Sequence, residues 1–164
     1  MSSNMEIEHR SYFEVFTELK IEDRLRHLFE PVKVSKVVLE EYHQKLWIHL
    51  VSRELLPRPA ILKMIRSIKE QLFRNSPLEI HFKEVYELTE AYTLSYITER
   101  YRANLLSEIE EESEMTYALL KGRTWRVLNQ QITIELENSF VARKKTEPIK
   151  GFIEKAYKER FGLE

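Results

Sequence analysis

Over residues 45–51 the aliphatic residues Leu46, Ile48 and Leu50 recur at every second position, and on either side of the region 34–51 apolar residues recur at every third or fourth. A period of two suits a pleated strand and a period of 3.6 a helix, so the chain must lay helices against a sheet. Residues 34–42 are rich in β-branched side chains and residues 45–51 alternate cleanly, which makes two strands. His43-Gln44 is the two-residue connection, although it lacks the Asn-Gly pair that tight hairpins favour. In the second strand Leu46, Ile48 and Leu50 share one face, and Lys45, Trp47 and His49 share the other.

The flanking periods fill in the rest. Phe13, Phe16 and Leu19 predict a helix over 12–19, and a second turn of helix covers 22–29 and stops before Pro31. Pro57 and Pro59 open a further helix, where a missing N–H costs little. Its apolar stripe is Ile61, Met64, Ile65, Ile68 and Leu72, and Asn75-Ser76-Pro77 ends it. Residues 78–85 alternate again, with Leu78, Ile80 and Phe82 on one face. The first half therefore reads α-β-β-α-β, a three-stranded sheet backed by helices. In the second half Thr89 is the expected cap of a helix to about Leu106, with Leu94, Ile97, Tyr101 and Leu105 as its stripe. Ser107-Glu108-Ile109-Glu110 matches a capping box that would start another helix, closed by Gly122. Residues 124–128 and 132–136 form a second hairpin around Asn129-Gln130-Gln131. A helix from Ser139 meets Pro148, which is expected to interrupt or restart it. Ile149, Phe152, Ile153, Ala156 and Tyr157 make the last stripe.

What the chain lacks narrows its chemistry. It has no Cys, so no disulfide, zinc finger, iron–sulfur site or thiol nucleophile is available, as suits a reducing cytosol. Its three glycines, Gly122, Gly151 and Gly162, stand too far apart for a Walker A loop, GxGxxG, GxSxG or the GxxG loop of nucleic-acid-binding KH domains. Asp23 is the one aspartate, and two-metal nucleotidyl transfer rests on clustered carboxylates in which Asp is usual. No apolar run approaches the ~20 residues of a membrane span, and no signal-peptide pattern opens the chain. A net charge of −1 and a pI near 6.6 argue against a dedicated nucleic-acid module.

Several side-chain groups invite a functional reading. His9, His27, His43, His49 and His81 raise a metal site, but none is spaced i, i+4 on a helix and HExxH is absent. The acidic run Glu108, Glu110, Glu111, Glu112 and Glu114 reads as a solvated face. Lys63, Arg66 and Arg74, with Lys69 at the border of the stripe, are candidates for weak phosphate contacts. Glu70 stands four residues from both Arg66 and Arg74, so local ion pairs explain the same residues. Lys45, Trp47 and His49 are the candidate protein-interaction residues: their face is either a second packed layer or an open aromatic anchor for another protein.

The run Val37-Val38-Leu39-Glu40-Glu41-Tyr42-His43-Gln44-Lys45-Leu46-Trp47-Ile48-His49-Leu50, followed by Leu55-Leu56-Pro57 and, near the end, by Ala156-Tyr157 and Phe161-Gly162, resembles the N-terminal region of PolC-type DNA polymerase III alpha subunits of low-GC Gram-positive bacteria. The resemblance is specific around 47–57 and loose between 89 and 124. It implies an α+β fold of two small αβ modules, residues 1–87 and 88–164. Each would be a truncated type II KH-like unit, with a β-hairpin backed by helices, similar to the C-terminal domain of the clamp-loader subunit tau. It also implies a further strand after Leu163-Glu164. The implied role is non-catalytic docking in the replisome, in the cytoplasm, with tau or other regions of the polymerase as partners, DNA bound at most weakly and no membrane. Polymerase and 3′–5′ exonuclease activities, with their Mg²⁺ and Zn²⁺, would reside in other regions of such a protein, leaving this segment without catalytic residues or cofactors. Two competing readings are a single-stranded nucleic-acid-binding module and a stand-alone regulatory interaction protein.

Overall fold

The structure, a computed structural model, describes residues 2–89 and 92–163, with side chains from Arg10 onward. Helices and strands divide into two units, Met1–Leu88 and Thr89–Glu164. The class is mixed α+β, as the two periods require.

In the first unit the order is β1 (Ser2–Ser11), α1 (Tyr12–Val15), α2 (Asp23–Phe29), β2 (Lys33–Glu40), β3 (Lys45–Ser52), α3 (Arg58–Leu72) and β4 (Glu79–Tyr86). The sheet has four strands in the order β1-β2-β3-β4, not the expected three. The extra strand, β1, pairs antiparallel with β2. Its sequence, SSNMEIEHRS, holds only Met5 and Ile7 as large apolar residues, so no period announces it. β2 and β3 are the antiparallel hairpin, and the chain then crosses through α3 to lay β4 parallel to β3. The hairpin loop is longer than two residues, running from Glu41 to Gln44, and Gln44 takes φ 52°.

One side of this sheet is sealed. Val34, Ile48 and Leu50 are fully buried there, with Ile80 and Phe82 nearly so. From α3 come Ile61, Met64 and Ile68, all at zero exposure. Tyr12 and Phe29 meet Phe82, with ring centroids 6.5 and 6.2 Å away. Burying each such side chain contributes about 1.5–3 kcal/mol. The same demand shortens the helix expected over 12–19. Phe16 and Leu19 must both reach this core, so α1 ends at Val15 and Phe16 takes φ −109°, ψ 65°. The α3 stripe stops at Ile68, and Leu72 is exposed. There Lys69 Nζ holds the turn back to β4, donating to the carbonyls of Ser76 and Leu78.

The second unit runs α4 (Leu94–Glu112), α5 (Glu114–Leu120), β5 (Trp125–Leu128), β6 (Gln131–Ile134) and α6 (Phe140–Phe161). Its cap is Thr93 rather than Thr89: the Thr93 hydroxyl accepts from Tyr96 N at 3.1 Å. α4 does not stop at Leu106, and the capping box at Ser107 does not form. Ile97, Tyr101, Leu105 and Ile109 are buried at four-residue steps, and an earlier stop would strip Ile109 from that row. Ser113 caps α5 instead, accepting from Thr116 N. Gly122 follows α5 at φ 73°, the left-handed position expected of a C-terminal glycine. The hairpin turn has two residues rather than three, Asn129 and Gln130, both at positive φ as a type I′ turn needs. α6 passes straight through Pro148. An interior proline costs ~3 kcal/mol. Ala142 before it and Ile149, Ile153, Ala156 and Tyr157 after it are all buried, which offsets that cost.

Candidate interaction face

β3 alternates as its sequence requires, so Lys45, Trp47 and His49 leave the sheet opposite Ile48 and Leu50. Strand registry then decides who stands beside them. Across β2, Lys36 pairs with His49, Val38 with Trp47 and Glu40 with Lys45. Across β4, Lys83 pairs with His49, His81 with Trp47 and Glu79 with Lys45. Paired residues share a face, so three rows cross β2, β3 and β4: Lys36-His49-Lys83, Val38-Trp47-His81 and Glu40-Lys45-Glu79, and the register of β1 sets Glu6, Asn4 and Ser2 opposite Lys36, Val38 and Glu40.

A bulge makes this possible. Val34 pairs with Leu50, yet Lys36 pairs with His49, and the register shifts between them. In a regular strand Val34 and Lys36 would point the same way. The extra residue, Ser35, lets Val34 bury against the helices while Lys36 turns to the other face. Ser35 Oγ donates to the His49 carbonyl at 3.3 Å, which fixes the kink.

Trp47 is half-buried, and among the described residues its indole N–H has no acceptor. The His81 ring stacks on it, with centroids 4.7 Å apart and planes 26° from parallel. Lys83 Nζ lies 5.9 Å from the indole centroid, within reach of a cation–π attraction. His81 Nε2 is 3.1 Å from Glu79 Oε2, and that bond pulls the Glu79 carboxyl below its usual range. Partial burial, reinforced by Lys36 and Lys83 on either side, lowers the His49 pKa to about 4, so its imidazole is neutral at neutral pH. The face thus offers a planar aromatic pair flanked by two fixed cations at one end and an acid-base-acid row at the other.

The other candidates lie elsewhere. α3 turns its buried stripe to the sealed side of the sheet, so Lys63 and Arg66 lie on its outer surface, whereas Arg74 falls in the turn after the helix ends at Leu72. Lys63 Nζ reaches Glu22 Oε1 at 3.7 Å, an exposed pair worth little. Lys69 is committed to the two backbone carbonyls already named. Among the described residues no ion pair links Arg66, Glu70 and Arg74. His27 approaches Glu30 and His43 sits in the hairpin loop, while the side chain of His9 lies outside the described residues. No group of three or more His, Asp or Glu able to hold a metal forms among the described residues. Asp23 is exposed at the start of α2.

In the second unit the acidic run is not uniformly solvated. Glu108 accepts both guanidinium nitrogens of Arg160, at 2.7 and 2.9 Å, and Arg160 Nη1 also donates to the Tyr101 hydroxyl at 3.0 Å. This bidentate clamp ties α4 to α6. An apolar groove of about 730 Å³ runs beside the hairpin, with Ile132, Ile134, Ile149 and Ile153 in its walls.

Registry supplied Lys36, Glu40, Glu79 and Lys83, which sequence reasoning missed. The alternation of residues 78–85 already set Glu79, His81 and Lys83 opposite Ile80 and Phe82. What it did not give was which residues of β3 they would meet.

Residues 12–82 match the family model described as DNA polymerase III polC-type N-terminus I. No curated protein and no solved structure matches the chain.

Proposed function

We propose, from the match of residues 12–82 to the family model described as DNA polymerase III polC-type N-terminus I, that the first unit is a non-catalytic docking module of the replicative polymerase, working through the Lys45-Trp47-His49 face. One observation carries this reading. The same strands are sealed by helices on one side and present a half-buried tryptophan with charged neighbours on the other. Large aromatics set among polar side chains are what protein interfaces use as anchors. An antiparallel hairpin followed by a helix and a parallel strand, with no glycine loop, supports a KH-like module used for contact rather than for phosphate cradling. The partner is the clamp-loader subunit tau or another region of the polymerase, and the setting is the bacterial cytoplasm. No helix among the described residues is long and apolar enough to cross a membrane.

Polymerase and exonuclease chemistry, with Mg²⁺ and Zn²⁺, belongs to other regions of such a polymerase. The described residues here do not fit either ion, since no three potential ligands converge. A single-stranded nucleic acid is the second reading, favoured by the Lys36-His49-Lys83 row beside a stacked indole. Calorimetry of the Trp47→Ala variant against tau and against the remaining polymerase tests the proposal, with circular dichroism to confirm folding. Loss of binding by a folded variant is the expected result. A folded variant that binds every partner normally refutes it.

A further inference from the structure

Taking the docking reading as its basis, we infer that the Trp47 face recognises a protein segment of mixed charge, with an acidic group over Lys36 and Lys83, an apolar group over Trp47 and a basic group between Glu40 and Glu79. The face is not uniformly basic. His49 carries no charge at neutral pH, and the register sets Glu6 of β1 opposite Lys36, so the first row keeps a net positive charge through Lys36 and Lys83 against one glutamate. The opposite row sets two glutamates around Lys45. A phosphate backbone laid across these rows would be attracted at one end and repelled at the other, whereas nucleic-acid surfaces need positive charge along the whole track. Between the two rows His81 already covers one side of the indole. That leaves the remaining indole surface and Val38 as apolar ground, suited to an aliphatic or aromatic side chain rather than to a run of stacked bases.

Spacing adds a second constraint. Successive rows are two residues apart along β3, a step of about 6.6 Å. Four residues of helix rise about 6 Å. A helix lying along β3 therefore meets the three rows with residues i, i+4 and i+8, in either direction. The recognition element is an acid-apolar-base triplet at that interval, and like charges at both ends are rejected by one row or the other.

The test uses the whole chain and three Ala/Gln-based helical peptides carrying Asp-Leu-Arg, Asp-Leu-Asp or Arg-Leu-Arg at i, i+4 and i+8, together with a twelve-residue oligothymidylate. The chain has two tryptophans, so two indole N–H signals report binding by NMR. The Asp-Leu-Arg peptide is expected to shift the Trp47 signal, leave that of Trp125 in place, and bind at least about fivefold more tightly than either like-charged peptide. The Lys36→Glu, Lys83→Glu double variant should reverse the preference toward Arg-Leu-Arg. Equal or tighter binding of Asp-Leu-Asp overturns the inference, as does a Trp47 shift driven by the oligonucleotide and by no peptide, or no Trp47 shift at all. Should those results appear while Trp47→Ala still abolishes binding to tau or the polymerase, the mixed-charge inference falls and the docking reading stands.

Discussion

β2, β3 and β4 build two faces from one alternation, and the two faces behave as different materials. The helix-covered face brings Ile48, Leu50 and Phe82 against Tyr12, Phe29, Ile61 and Met64 and leaves almost no accessible surface. The Trp47 face keeps its residues partly open and gives them charged cross-strand neighbours. Antiparallel sheets commonly place one face on the core and one toward solvent, and two of the three strand pairings here are antiparallel. The difference teaches that one alternation can build a closed core on one side and, on the other, a half-buried tryptophan among charged neighbours.

The sharpest contrast should come from paired truncations. Ile48→Ala opens a cavity in the sealed face and is expected to cost about 4 kcal/mol in urea denaturation. Trp47→Ala, although a larger deletion, removes a half-exposed ring and should cost about 2 kcal/mol. Equal losses would erase the distinction between the faces.

Acid should act on the open face more than on the sealed one. His49 has its folded pKa lowered from 6.5 to about 4, so the unfolded chain binds more protons between those values. Its contribution is therefore present above pH 6.5 and is lost as pH falls toward 4. For a half-exposed ring the loss is about 1 kcal/mol. His49→Gln should flatten that limb of a stability–pH curve. An unchanged slope would mean that other groups set it.

Lys83→Glu should change stability by less than about 0.5 kcal/mol, as an exposed substitution. It should nonetheless weaken partner binding several-fold. A stability loss as large as that of Ile48→Ala would show that the open face is structural.

The two faces were legible in residues 45–51 because a strict period of two has only one physical meaning. Their surroundings were not. β1 has too few apolar residues to mark a strand and exists through its pairing with β2. The bulge at Ser35 carries no residue signal, since Ser35 and Lys36 suit a regular strand equally well. Lys36 and Lys83 therefore went unnoticed as neighbours of His49. Lys69 read as a free cation because its real partners, the carbonyls of Ser76 and Leu78, come from a turn whose path no pattern predicts. In the second unit the alternatives were local and burial decided them. Ile109 carried α4 past its apparent cap at Ser107, and the buried stripe on both sides of Pro148 kept α6 whole.

Lysine-reactivity footprinting of the chain, free and bound to tau or to the remaining polymerase, compares the two sides of the first unit in one experiment. Lys36, Lys45 and Lys83 report the Trp47 face, and Lys63 reports the outer surface of α3 over the sealed face. The account predicts that a partner protects the first three and leaves Lys63 as reactive as before. Protection of Lys63 with Lys36, Lys45 and Lys83 unchanged would contradict it.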